Sequence, residues 1–251
     1  MSSKEAQPLI EFKDIKKSFG HVKALRGLDL QVKKNEILGL VGDNGAGKST
    51  LMKITTGVYQ PDGGKISFKG EEVQIDTTKK ARKLGIEMVY QERALSPKQD
   101  ASKNIFLGRE PSIEFGPFEI INHSKMYSKS KALLGELGIE VDSRQQVQTM
   151  SGGQQQAIAI ARVLSSEREI KLVIFDEPTA ALGIEEVEKV LDLIKSLRER
   201  GLTIILISHR FSDIFEVTDR VAVLYDGEKS GELKTDETDT EEIVRYMVGK
   251  E

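Results

Sequence analysis

Cysteine is absent from the 251 residues. Disulfides and thiolate chemistry are therefore excluded, and a reducing, cytosolic compartment fits. No apolar run approaches the ~18–20 residues needed to cross a bilayer; the longest lie near Leu172–Phe175 and Thr203–Ile207. The opening Met1-Ser2-Ser3-Lys4-Glu5 lacks the apolar segment of a secretory leader, which again leads to the expectation of a cytosolic chain. Neither sign of charge is in large excess: 37 Lys and Arg stand against 40 Asp and Glu, a net −3. That balance argues against a general nucleic-acid footprint. The basic cluster Lys79-Lys80-Ala81-Arg82-Lys83 reads as the wet face of a helix rather than a polyanion site. Charged residues at 31% and hydrophobic residues at 38% describe a soluble, globular chain. Its length suffices for one large α/β domain with a sizeable core, or for two small domains.

The most informative feature present is Gly42-Asp43-Asn44-Gly45-Ala46-Gly47-Lys48-Ser49, which fits the phosphate-loop pattern G-x-x-x-x-G-K-[ST]. It continues from the apolar run Ile37–Val41 and leads into the helix-like Ser49-Thr50-Leu51-Met52-Lys53-Ile54. Its glycines let the backbone curl so that successive N–H groups face phosphate oxygens. Lys48 brings a charge toward the β/γ-phosphates, and the Ser49 hydroxyl can hold Mg²⁺. By composition alone such a match arises in roughly 1% of chains of this length. The chain is expected to bind a nucleoside triphosphate.

Short β-like runs occupy Leu9–Ile15 and Leu28–Val32, and Pro61–Gly64 turns into Lys65–Phe68. Residues 78–84 look helical, and Gly85–Tyr90 reads as a buried strand. From about Ser96 to Leu164 the pattern is helical, with a Pro/Gly-rich break at Pro111–Pro117. Beyond it, Leu172–Phe175, Ile184–Arg200, Thr203–Ser208 and Val221–Tyr225 alternate buried strand with amphipathic helix. The alternation predicts a mostly parallel sheet carrying helices, with the helical block of about 96–164 as an insertion. No internal repeat or low-complexity linker is present, so residues 1–251 are read as one domain with subdomains.

Four chemically suggestive groups each follow a short apolar run: Lys48, Gln91, the pair Asp176-Glu177, and His209. Ligands of parallel sheets bind outside the carboxyl ends of the strands, so parallel neighbours would line these groups along one edge. Asp176 can hold Mg²⁺ beside Ser49, and Glu177 can orient or deprotonate a water aimed at a γ-phosphate. Gln91 offers a carbonyl to Mg²⁺ and an amide to the water. His209 can donate to the γ-phosphate or to the carboxylate, whereas His21 and His123 sit in polar surroundings. Ser151-Gly152-Gly153-Gln154 opens a helix as a capping box. A cap alone does not require two glycines, each costing about 1 kcal/mol in a helix. Bare N–H groups there would suit an anion. Two phosphate-directed elements make sense if the chain dimerises and the second covers a nucleotide on its partner.

In this order these motifs resemble the nucleotide-binding subunits of ABC transporters. The resemblance implies a P-loop NTPase (RecA-like) α/β core with a parallel sheet, an N-terminal antiparallel β subdomain and an inserted α-helical subdomain. It also implies a head-to-tail dimer with two ATP molecules and Mg²⁺ sandwiched between the loop of one subunit and Ser151–Gln154 of the other. Phe19 would stack on adenine, Glu177 would be the general base, His209 the γ-phosphate switch, and Ser49, Gln91 and Asp176 the metal-directed groups. Tyr90-Gln91-Glu92, Asn104–Glu110 and Thr149–Gln156 are similar to ATPases of simple-sugar importers for ribose, xylose, galactose or fructose, here in single-cassette form. The short stretch after His209 leaves no room for the regulatory C-terminal domain of maltose-type ATPases. Implied partners are permease subunits, which would hold the chain at the inner face of the membrane, and indirectly a sugar-binding protein. Ile105, Phe106, Leu107, Arg109 and Glu110 are candidate permease contacts, with core packing the alternative for the first three. Another transported substrate, or a soluble ABC ATPase, are the competing readings; a P-loop kinase would have no use for Ser151–Gln154. Two departures stand out. Met150 replaces the usual Leu, a volume-conserving change. Gly183 replaces an Asp that reaches across the dimer, which implies a slow or partner-dependent basal ATPase.

Overall fold

The computed structural model describes residues 7–115, 118–166 and 168–249. The leader expectation at Met1–Glu5, and Gly116 and Pro117 of the predicted break, lie outside them. In chain order the elements are β1 (Ile10–Phe19), β2 (Val22–Val32), β3 (Ile37–Gly42), α1 (Lys48–Thr55), β4 (Gly63–Phe68), β5 (Glu71–Val73), α2 (Thr78–Leu84) and β6 (Ile86–Val89). There follow α3 (Ala101–Ile105), β7 (Ser112–Phe115), β8 (Phe118–Ile121), α4 (His123–Glu136), α5 (Gly152–Leu164), β9 (Leu172–Asp176) and α6 (Ile184–Glu199). The chain continues through β10 (Thr203–Ile207), α7 (Phe211–Val217), β11 (Arg220–Tyr225), β12 (Glu228–Lys234) and α8 (Thr240–Met247). They fall into two compact units, one of residues 1–88, 168–177 and 194–251, the other of 89–167 and 178–193.

The first unit holds two sheets. An antiparallel sheet of order β2-β1-β4-β5 begins with a tight hairpin in which Phe19 pairs with Val22 across Gly20-His21. Within these strands Ile10, Phe12, Ile15, Leu28, Leu30 and Val32 are buried beside exposed or half-buried residues, the period-2 pattern of a sheet wet on one face, shifted once by a register irregularity between Phe12 and Ile15. The second sheet has the order β12-β11-β3-β10-β9-β6. Strands β11, β3, β10 and β9 are mutually parallel, and β12 closes the end antiparallel to β11. β3 and β10 are buried along their whole length, which explains why they read as continuous apolar runs rather than alternating ones. One continuous apolar core joins both sheets to α1, through Phe12, Leu30, Leu40, Leu51, Met52, Ile174, Ile205 and Leu224.

A buried ion-pair network also ties the sheets. Arg220, at the start of β11, donates to Glu36 at 2.8 Å and to the Gln31 carbonyl of β2 at 2.7 Å, and pairs with Glu232 of β12. Both Arg220 and Glu36 are buried.

In the second unit, α3 packs on α4 and α5. Asn104 is buried and closes the loop ahead of α3, donating to the carbonyls of Ser96 and Asp100 and accepting from the Ser96 N–H. The helical block predicted from about Ser96 to Leu164 is therefore interrupted. Around its Pro/Gly-rich break the chain forms the hairpin β7–β8, whose pairing sets Ile113 opposite Ile120 and Glu114 opposite Glu119. Branched and aromatic residues flank that break, which favours strands over helix. Strand β12 and the helices α7 and α8 are further elements that periodicity alone did not reveal.

Arg220→Ala should destabilise the protein by about 3–5 kcal/mol, because it strands a buried Glu36. The paired change Glu36→Gln with Arg220→Met should recover most of that loss. Denaturant unfolding of the two variants against the parent measures both.

Candidate nucleotide-binding site

Parallel pairing brings three strand ends together. Ile207 of β10 pairs with both Leu40 of β3 and Asp176 of β9, so the loops after these strands leave the sheet at one level. They carry Gly42–Lys48, Asp176-Glu177 and His209, all within the first unit.

The loop after β3 is shaped by backbone positions that exclude a side chain. Gly42 has φ 151, and a Cβ there would fall 2.4 Å from the Leu224 carbonyl oxygen. Gly47 has φ 103, and its Cβ would fall 2.7 Å from that of Ala24. Gly47 is also the N-cap of α1, and no side chain caps that helix. The first N–H groups of α1 are thus left without a side-chain cap, the arrangement that accepts an anion. Asp43, Asn44, Gly45 and Ser49 are exposed, and Ala46 is buried beneath them.

Lys48 is buried at the start of α1, with its ammonium donating to the carbonyls of Gly42 at 2.5 Å and Asp43 at 3.0 Å. Burial pulls its pKa below the usual lysine value; Glu177, Asp43 and Asp176 oppose that fall. The charge is fixed on the loop's own backbone, aimed by two carbonyls rather than swinging on a free stem.

Asp176 ends β9, half-buried. Burial, reinforced by the neighbouring Glu177 charge, raises its carboxyl above the ordinary 3.8, against Lys48, Lys53 and His209. Glu177 follows with φ 49, a left-handed conformation that costs a non-glycine residue roughly 1 kcal/mol. It is held there by its N–H, which donates to the Ile207 carbonyl at 2.9 Å. The twist carries its carboxylate to His209, whose Nε2 lies 2.7 Å from Oε1. His21 and His123 are exposed, as their polar surroundings imply.

Among the described residues no group of three or more His, Cys, Asp and Glu is placed to hold a metal. The donors beside the loop, one exposed hydroxyl at Ser49 and one carboxylate at Asp176 that is disfavoured as a lone anion, fit a divalent cation that arrives with phosphate oxygens. Phe19, at the end of β1, is half-exposed, with Tyr59 edge-on at 5.1 Å and the Lys17 ammonium 5.6 Å from its ring centre.

The remaining predicted groups belong to the second unit. Gln91 is exposed just after β6. Ser151 caps α5 through the predicted box: its hydroxyl accepts from the Gln154 N–H and the Gln154 side chain accepts from the Ser151 N–H. The Gly153 N–H, expected to be bare, instead donates to Glu186 at 3.0 Å. Arg93 braces the same helix, donating to Gln155 at 3.2 Å and Gln156 at 3.1 Å. Neither Glu186 nor Arg93 stands out in the sequence. Glu186 carries only a local signal, three residues after Gly183 where a capping glutamate belongs; its contact with Gly153 spans 33 positions. Gly183 itself has negative φ, and a Cβ there would meet only the Glu186 carboxylate, at 4.0 Å. Of the candidate permease contacts, Ile105 and Phe106 are buried in the core and Leu107 is exposed.

A phosphate loop on β3, an acidic pair on β9 and a histidine on β10 define a P-loop nucleotide-binding protein. The profile of the ABC transporter family matches residues 25–180. The chain is 43% identical over 240 residues to the xylose/arabinose import ATP-binding protein XylG of Sulfolobus acidocaldarius, covering 95% of this chain and 93% of that one. It is 41% identical over 243 residues to the ribose import ATP-binding protein RbsA of Geobacillus kaustophilus, covering 97% of this chain and 48% of the relative. It thus spans about half the length of the RbsA relative and nearly all of XylG. Among solved structures, a nucleotide-free ATP-binding cassette from an ABC transporter matches with a TM-score of 0.81 at 23% identity, covering 97% of this chain and 96% of that one. A dimeric cassette in a post-hydrolysis state, bound to ADP and phosphate, matches with a TM-score of 0.74 at 26% identity, covering 90% and 98%. The chain belongs to the ABC transporter family.

The raised carboxyl of Asp176 makes a pH-dependent stability prediction. A folded-state value above the unfolded 3.8 favours the folded protein while Asp176 is protonated, and that advantage is lost as pH rises through the folded value. Without nucleotide, Asp176→Asn should therefore melt higher than the parent at neutral pH, by roughly 2–4 °C for each kcal/mol recovered. The difference should vanish below the unfolded value. Melting curves across pH check it.

Proposed function

We propose that this chain is the ATP-binding and ATP-hydrolysing subunit of an ABC importer for a simple sugar, working as a head-to-tail pair beneath permease subunits. The observation that carries the hydrolytic part is the Glu177–His209 contact of 2.7 Å at the strand ends that also hold Lys48. Sugar as the cargo rests on the names of the relatives, several of them ribose, galactose and xylose/arabinose import ATP-binding proteins. Among the described residues no helix is long and apolar enough to cross a membrane, so the membrane path is assigned to other subunits. A sugar-binding protein would deliver the cargo to them.

On this reading the loop N–H groups of Gly42–Thr50 and the Lys48 ammonium hold the β- and γ-phosphates, and Phe19 stacks on adenine. Ser49, Asp176 and Gln91 are the residues that would hold Mg²⁺, and the ion would neutralise phosphate charge. A water aimed at the γ-phosphorus gives its proton to Glu177 as its oxygen bonds to phosphorus and the bond to the ADP oxygen breaks. His209 holds Glu177 in place before the phosphate arrives and can then donate to the γ-phosphate. Ser151, Gly152, Gly153 and Gln154 face the γ-phosphate of the other copy. The exposed Leu107, next to Arg109 and Glu110 in the chain, is the candidate for a permease contact.

The specific ATPase rate of the isolated subunit should rise with protein concentration. A rate per subunit that stays flat while the protein remains monomeric overturns the paired site. Lys48→Ala should weaken ATP binding, whereas Glu177→Gln should keep binding and lose roughly 10²–10⁴-fold in turnover. A Glu177→Gln protein hydrolysing at more than about a tenth of the parent rate would remove Glu177 from the base role. Uptake of labelled xylose, ribose and galactose by the complex with its permease, reconstituted in vesicles, tests the cargo.

A further inference from the structure

The N-terminus of α5 already holds an anion, and that anion is part of the same chain. Glu186, in the first turn of α6, accepts from the Gly153 N–H at 3.0 Å through Oε1 and from the Gly183 N–H at 3.2 Å through Oε2. The Ser151 side chain hydrogen-bonds to the same carboxylate, and the Arg93 charge lies close enough to favour it. Led by the Gly153 N–H, these groups hold Glu186 below the usual carboxylate range. The approach is tight. A Cβ on Gly153 would fall 3.0 Å from the Glu186 Cβ, and one on Gly152 would fall 3.4 Å from Oε2. All of these groups lie within the second unit. The two glycines therefore seat a carboxylate inside one subunit, before any second copy is considered.

The inference rests on the paired site proposed above, in which Ser151 and Gly153 donate to the γ-phosphate of a second copy. An N–H engaged by a carboxylate at 3.0 Å is not open to a phosphate oxygen, and two anions on one set of donors repel. We propose that Glu186 is a positioning residue: its carboxylate fills the anion seat of α5 in the free subunit and is displaced by the γ-phosphate when two copies close. Displacement leaves Glu186 the Gly183 N–H as a helix-capping partner and Arg93 as a counter-charge. ADP has no γ-phosphate to compete for the seat, so the exchange favours closure on the triphosphate over the diphosphate. Glu186 then sets how much ATP and how much protein closure requires.

Glu177→Gln, which should accumulate the ATP-bound pair, is the background for the test. In that background Glu186→Gln keeps an acceptor for the Gly153 N–H but removes the charge. Sedimentation at saturating ATP should place its dimerisation midpoint at a roughly 10–100-fold lower protein concentration, the difference between a charged and a neutral hydrogen bond taken over the pair's two seats. Glu186→Asp, too short to span both N–H groups, should shift the midpoint the same way and serves if the first variant folds poorly. With Glu177 intact, Glu186→Gln should also lower the ATP concentration for half-maximal rate. A merely structural tie would instead lower the melting temperature and leave the midpoint unchanged or raise it. Folded variants that dimerise no more tightly than the background overturn the role of Glu186 alone. If the Glu177→Gln background never dimerises with ATP, the paired site fails first and this inference falls with it.

Discussion

Everything reactive in the first unit depends on the parallel pairing of β3 with β10 on one side and β11 on the other. Because the strands run the same way, their carboxyl ends share an edge, and each loop that leaves the sheet does so beside the others. Antiparallel pairing of β10 would carry His209 to the opposite edge. The register matters as much as the direction. Ile207 is level with both Leu40 and Asp176, and the Ile207 carbonyl is the acceptor that fixes the Glu177 backbone. A main-chain hydrogen bond between two strand ends thus orients the proposed base.

Three residues of the site carry local costs. Asp176 is pushed toward its neutral form by burial and by Glu177, Lys48 is pulled toward its neutral form by burial, and Glu177 sits in a left-handed conformation. The costs at Asp176 and Lys48 are electrostatic and would be relieved by a divalent cation and a polyanion respectively, whereas the Glu177 backbone is held by its hydrogen bond to Ile207. The buried network of Arg220, Glu36 and Glu232 is different in kind: its charges are compensated within the fold and have no evident dependence on ligand. The fold keeps a mutually compensated ion pair at the start of β11, and the charges that burial disfavours, Asp176 and Lys48, at the carboxyl ends of β9 and β3.

Strand ends were legible because the runs before Lys48, Asp176 and His209 are short, wholly apolar and sharply bounded, which a parallel strand buried on both faces requires. Helix α2 was legible over the same residues, since Thr77 caps its start and Gly85, at φ 85, ends it. The hairpin β7–β8 was not. A Pro/Gly-rich break announces only that a helix stops, and strands of four residues give too few alternations to count. Glu186 was also out of reach, because a carboxylate at the start of one helix looks the same whether it caps that helix alone or also receives an N–H from another. Only the close approach of α6 to Gly152 and Gly153 separates the two.

The pairing of β3 also has a consequence for synthesis. Both of its neighbours in the sheet, β10 and β11, lie far downstream, at residues 203–207 and 220–225. On the ribosome, the phosphate loop emerges with no strand for β3 to pair with, and it stays so on the order of tens of seconds at ordinary elongation rates. The antiparallel sheet β1–β2–β4–β5 is complete by residue 73. The second unit's 89–167 segment follows next, before either neighbour of β3 exists. β3 therefore has no sheet neighbour through most of synthesis, only the apolar face of the first sheet and α1 to lie against, and the loops that carry Lys48, Asp176 and His209 meet only when most of the chain has been made.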